Sequence, residues 1–147
     1  MDLTKMMNIN ITNNELDELG CSLHSIKRNS LSIIDIDNEL NLSQQYAEIC
    51  RQYSIENKWI LMINPDEEPL EQLTNYNEID TSKILKVHAN KHNLVLANIE
   101  KALCKGNCSA IVICNPLLSN EEITQLSKWA EFGKTSCIVI RNNRQVH

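Results

Sequence analysis

Several groups of residues in this chain have types and spacings that could do chemistry. Gly133, Lys134 and Thr135, within the stretch FGKTS, reproduce the tail of a phosphate-binding P-loop. In that motif backbone amides cradle the phosphates, the lysine reaches the terminal ones and the hydroxyl holds magnesium. Asp35 and Asp37, and further on Asp66, Glu67 and Glu68, are acidic clusters of the kind that bind Mg²⁺. Cys104 and Cys108 are spaced C-x₃-C and His88 and His92 are spaced H-x₃-H, both within the range used by zinc sites.

Which of these can act depends on the elements that carry them. Thr12 and Glu15 match a capping box and Gly20 a stop, so a short helix is expected over 13–19. LSIIDI (31–36) reads as a strand, and Leu42, Tyr46, Ile49, Cys50 and Tyr53 form the apolar face of a helix. WILMIN (59–64) is an apolar run stopped by Pro65, a strand buried on both faces. A helix over 69–76 with Pro69 in its first turn, a strand over 83–89 and a helix over 93–105 ended by Gly106 follow. SAIVIC (109–114) is another buried strand. Ser119 and Glu122 cap the last helix, with Ile123, Leu126, Trp129 and Ala130 facing inward, and SCIVIRN (136–142) is the closing strand. Strands alternating with helices predict a three-layer α/β domain, a mostly parallel sheet with helices on both faces.

Placed on these elements, the candidate sites weaken. A P-loop runs from a strand into a helix and starts with a glycine, whereas FGKTS runs from a helix into a strand and has Lys128 where that glycine should be. Gly133 is expected instead to terminate the helix as its C′ residue, with Lys134 near the last carbonyls. The topologically correct place for a P-loop, DIDNELNLS (35–43), has neither glycine nor lysine and carries three acids. The magnesium-holding aspartate expected after a later strand is Asn115. The acidic loops lie past strand ends, where a Mg²⁺-binding enzyme site could form and where solvated turns are equally expected. Cys50, Cys114 and Cys137 fall at core-like positions, which favours reduced thiols acting as small hydrophobes over a metal centre. No nucleophile elbow or cysteine-nucleophile signature is present. Lys58, Trp59, Leu70, Leu73, Tyr76 and Lys83 combine cationic, aromatic and apolar groups around one strand–helix–strand unit, a composition typical of protein-binding surfaces.

The chain has 147 residues, 42% hydrophobic and 22% charged, with 14 basic against 19 acidic side chains and a net charge of −5. This suits a single soluble domain able to bury about 70% of its unfolded surface. The lysines and arginines are scattered, which argues against nucleic-acid binding. Neither a secretory leader nor a membrane span is recognisable, so a cytoplasmic protein is expected. Residues 1–30 read as a polar, flexible segment, and 31–147 as the folded domain.

From Leu31 to Asn142 the chain resembles the SulA family of SOS-induced cell division inhibitors. The likeness rests on KWILMINP, TSKILKV, KALCKGNCSAIVIC and LLSNEEITQLSKWAEFGKTSCIVIRN in ungapped succession. The resemblance implies a RecA-like core lacking a working P-loop, no cofactor and no catalysis. It also implies stoichiometric binding of the tubulin-like GTPase FtsZ at its polymerisation surface, which blocks septation. Residue by residue, the family's sensitive positions become Lys58, Ile63, Leu73 and Lys83. The family can carry Arg at 58, and Trp where this chain has Leu73. The resemblance further implies a homodimer, and removal by the Lon protease through a tail ending in His147. Two alternatives remain beside it: a RecA-like scaffold in the DNA-damage response, and a small ligand- or Mg²⁺-binding enzyme using the acidic loops.

Overall fold

The computed structural model describes residues 30–37, 39–55, 57–90 and 94–142. The chain divides into two units, Met1–Ser30 and Leu31–His147, and the architecture below is that of the second. The helix expected over 13–19, His92 and His147 lie outside the described residues.

In chain order the elements are β1 (Leu31–Ile36), α1 (Glu39–Gln52), β2 (Trp59–Ile63), α2 (Glu67–Glu71), β3 (Ile84–Val87), α3 (Leu96–Lys105), β4 (Cys108–Cys114), α4 (Asn120–Gly133) and β5 (Ser136–Asn142). Short 3₁₀ turns at Gln72–Asn75 and Thr81–Lys83 link α2 to β3. The strands form one sheet in the order β1-β5-β4-β2-β3, and every pairing is parallel. The expected fold class is therefore what is seen.

Alternation along the strands divides the core into two. Ile60 and Met62 of β2, with Ala110 and Val112 of β4, face α1 residues Leu42, Tyr46 and Ile49 and the α2-side residue Leu73. Ile63, Ile111 and Ile113 face the other way, onto Ile99 and Leu103 of α3 and Leu126 and Ala130 of α4. All of β4 is buried, as an apolar central strand requires. By contrast β2 opens with Trp59 41% exposed, and β1 and β3 are the sheet edges.

The expected 69–76 helix is broken in two. Proline lacks an N–H and fits only a first turn, so the helix starts ahead of Pro69 with Asp66 at its N-cap. It then tightens into the 3₁₀ turn that delivers Leu73 to the core. A second correction concerns Gly133. It is the last helical residue of α4, and Lys134 takes the left-handed turn with φ 56°. What demands glycine is close approach: a Cβ at 133 would stand 1.8 Å from the Leu103 carbonyl oxygen of α3.

Candidate functional site

In an open α/β sheet, ligands bind beyond the carboxyl ends of the strands where successive connections leave in opposite directions. Here that point lies between β2, whose connection runs outward to β3, and β4, whose connection runs the other way to β5. Both strands end in Asn-Pro. Asn64 and Asn115 each adopt positive φ, 57° and 52°, a conformation asparagine tolerates better than most residues. Each then acts as a clip to its outer neighbour. The Asn64 N–H donates to the Val87 carbonyl at 2.7 Å, and its side-chain oxygen accepts from the Ala89 N–H at 2.7 Å. The Asn115 N–H donates to the Ile140 carbonyl at 2.7 Å, and its side-chain oxygen accepts from the Asn142 N–H at 2.7 Å. The position where a nucleotide enzyme would place a magnesium-holding carboxylate is thus occupied by an amide that ties two strand ends together.

Tyr46 closes the same region from α1. Its hydroxyl accepts from the Asp66 N–H at 3.1 Å and lies 3.4 Å from the Cys114 Sγ. Burial, and then the neighbouring Cys114, raise its pKa far above that of an ordinary phenol, so it stays protonated. The acidic loops are also engaged. Asp35 accepts a two-armed bond from Arg141 at 2.9 and 3.2 Å. Glu67 accepts from Lys86 at 3.2 Å and lies 2.9 Å from the His88 Nε2. Among the described residues no three His, Cys, Asp or Glu side chains converge on a metal-sized site. Burial pushes the Cys50 thiol up to about 11 and Cys137 up to about 12, the behaviour of core thiols rather than nucleophiles.

The opposite, amino-terminal end of β2 and β3 is where cations gather. Lys58 precedes β2, in a turn held by Ser109, whose hydroxyl donates to the Tyr53 carbonyl at 2.6 Å. Lys83 precedes β3, in a turn fixed by Asp80. That carboxylate accepts from the Ser82 hydroxyl at 2.6 Å and from the Ser82 N–H at 3.1 Å. Because Ile60 pairs with Ile84, the two lysines are brought into one cleft of about 230 Å³, floored by Ile60 and Ile79. The third cation there, Arg51, is neutralised by Glu78 at 2.8 Å and Glu48 at 3.3 Å, and sits 5.3 Å from the Tyr76 ring centre. Lys58 and Lys83 have no ion pair among the described residues. The cleft falls below the roughly 300–1,000 Å³ of small-molecule sites, and suits one or two side chains of a partner.

The structure does not bring all four sequence-derived positions to one surface. Ile63 is 6% exposed and Leu73 0%, because each lies on an inward face of its element. Trp59, which sequence alone leaves ambiguous, is exposed on the other face of the sheet from the Lys58 cleft. Strand alternation from Leu61 and Ile63 puts it there, beside α3.

No family model matches the sequence, and no curated protein matches it significantly. The structure does match a solved one, SulA from Pseudomonas aeruginosa. The TM-score is 0.64, with 77% of this chain and 98% of that chain covered at 23% identity. The fold is the SulA fold. At that identity the likeness is one of architecture, and the SulA fold spans nearly the whole of the matched protein while this chain has residues beyond it.

Proposed function

We propose that this protein is a SulA-type cell division inhibitor: a non-enzymatic binder that holds FtsZ and prevents its assembly. The observation that carries this reading is the SulA fold, matched over 98% of the Pseudomonas chain. The engaged strand ends at Asn64 and Asn115 support it, since they use the usual ligand position for structure. Lys58 and Lys83 are the contact residues in this reading, as two ammonium groups in one cleft with an apolar floor, neither held in a close ion pair although Asp80 lies near enough to Lys83 to feel its charge. Ile63 and Leu73 act through the core, by holding β2 and the turn that leads to Lys83. Homodimer formation, along an open strand edge at β1 or β3, and removal by Lon through the tail ending in His147 belong to the same reading.

The test is FtsZ assembly with GTP, followed by light scattering and phosphate release. An equimolar amount of this protein is expected to abolish polymer formation and lower turnover, and no effect on either disproves the reading. Lys58→Ala and Lys83→Ala are each expected to weaken inhibition about tenfold, or ~1.4 kcal/mol, with unchanged melting. Leu73→Ala is expected to cost about 2–5 kcal/mol of fold stability. Its inhibition therefore falls together with its melting temperature, which separates a core role from a contact.

A further inference from the structure

We infer a second docking surface, distinct from the Lys58–Lys83 cleft: the open trough between β3 and α3, which fits an acidic protein segment with an apolar anchor. Trp59 and Leu85 form its floor, 41% and 40% exposed, with Ala102 opposite on α3. Val87, 43% exposed, continues the same face of β3 by strand alternation. Large apolar side chains left side by side on a sheet face are the usual mark of a binding surface rather than of random exposure.

Charge identifies the occupant. Lys101 and Lys105, one helical turn apart on α3, line the trough, and no acidic side chain does. Neither lysine has an ion pair among the described residues. In a chain of net charge −5, an apolar floor whose charged lining is two unpaired lysines, beside the neutral amides of Asn57 and Asn107, is complementary to carboxylates flanking an apolar side chain. At about 480 Å³ the trough takes more than a single side chain. The adjoining edge of β3 favours an extended segment. Val87 gives its carbonyl to the Asn64 N–H, so Lys86 turns its backbone groups outward, away from β2, as does the Ile84 carbonyl, while the Ile84 N–H donates to the Thr81 carbonyl. A polyphosphate partner fits less well. Two lysines are far from the basic stripe that a nucleic acid requires.

Trp59 is a built-in reporter, best read with the other tryptophan replaced as Trp129→Phe. A synthetic peptide alternating Glu and Phe is titrated against this protein, alongside the same peptide with Lys for Glu and an oligothymidylate. The expected result is a saturable blue shift with the Glu-Phe peptide only. Its affinity should fall at least about tenfold in Lys101→Glu/Lys105→Glu and on raising the salt. Leu85→Ser, which keeps both lysines, should weaken it as well. Absence of a shift, equal binding of the Lys-Phe peptide, tighter binding of the oligonucleotide, or indifference to the lysine reversal overturns the inference. So does a Trp59 shift that follows protein concentration alone and vanishes in the reversal variant together with dimer sedimentation, since the occupant is then a second copy of this chain. FtsZ is absent from the assay and Lys58 and Lys83 are untouched, so its outcome is independent of the function proposed above.

Discussion

At Gly133 a Cβ would stand 1.8 Å from the carbonyl oxygen of Leu103 and 2.8 Å from the Cα of Cys104. Two residues later the Thr135 hydroxyl, in a residue 1% exposed, donates to that same Leu103 carbonyl at 3.0 Å. The tripeptide that imitates a phosphate loop is therefore a clasp between α3 and α4. Glycine lets the backbones meet, Lys134 turns the chain through positive φ, and threonine satisfies a carbonyl at the end of α3. Gly133→Ala is expected to push the helices apart and destabilise the fold by about 1–3 kcal/mol or more. Thr135→Val keeps the shape but leaves the carbonyl without this bond, at a cost of about 1–3 kcal/mol. Urea denaturation of both variants measures this, and wild-type midpoints in both would dissolve the clasp. A phosphate-binding role predicts the opposite pattern, with stability unchanged and an anion lost.

At the scale of elements, legibility followed burial. β4 was readable because both its faces are covered, so its sequence is apolar without interruption. The break in the 69–76 segment was readable in principle from Pro69, which cannot sit far beyond a first turn, but the apolar spacing of Leu70, Leu73 and Tyr76 pointed to a single helix. Lys58 and Lys83 open successive strands, which groups them on one strand–helix–strand unit in the sequence, and the β2–β3 register is what sets them in a single cleft. Trp59 needed the strand order as well, since only a neighbour at the sheet edge leaves that face of β2 uncovered. The repeated Asn-Pro at the ends of β2 and β4 is the sequence signal for the strand clips. The cap of α4 was plain. Ser119 accepts from the Glu122 N–H at 3.2 Å, and the Glu122 carboxylate accepts from the Ser119 N–H at 2.9 Å. Ser119→Ala is expected to cost about 1 kcal/mol, while Glu122→Gln, which keeps an acceptor in place, should cost far less. A loss in Glu122→Gln as large as that in Ser119→Ala would show in thermal melting that charge at the helix start contributes as much as the Ser119 cap bond.

For the molecule as a whole, acid is the informative stress, because several carboxylates are held below their ordinary values. The hydrogen bond from Lys86 is the main cause at Glu67, followed by His88. Glu78 is lowered by a bond to its own backbone and then by Arg51, and Asp80 by the hydroxyl and then the amide of Ser82. A carboxyl group with a depressed folded pKa binds fewer protons when folded than when unfolded. Its contribution is complete above the unfolded value, 4.5 for Glu67 and Glu78 and 3.8 for Asp80, and disappears as pH falls through the folded value. These groups are exposed, so each effect is small and weakened by salt. All three lie on the connection between β2 and β3, the segment that positions Lys83. Urea midpoints are thus expected to fall once the pH drops below about 4.5, with a shallower acid limb in Glu67→Gln and in Asp80→Asn. The sharper expectation is local. Amide exchange across Thr81–Val87 should rise in acid before exchange in β4 does, because β4 is entirely buried and uses no carboxylate to hold its place. If β4 and the Lys83 turn lose protection together, the acid response is global and the β2–β3 connection has no separate stability to lose.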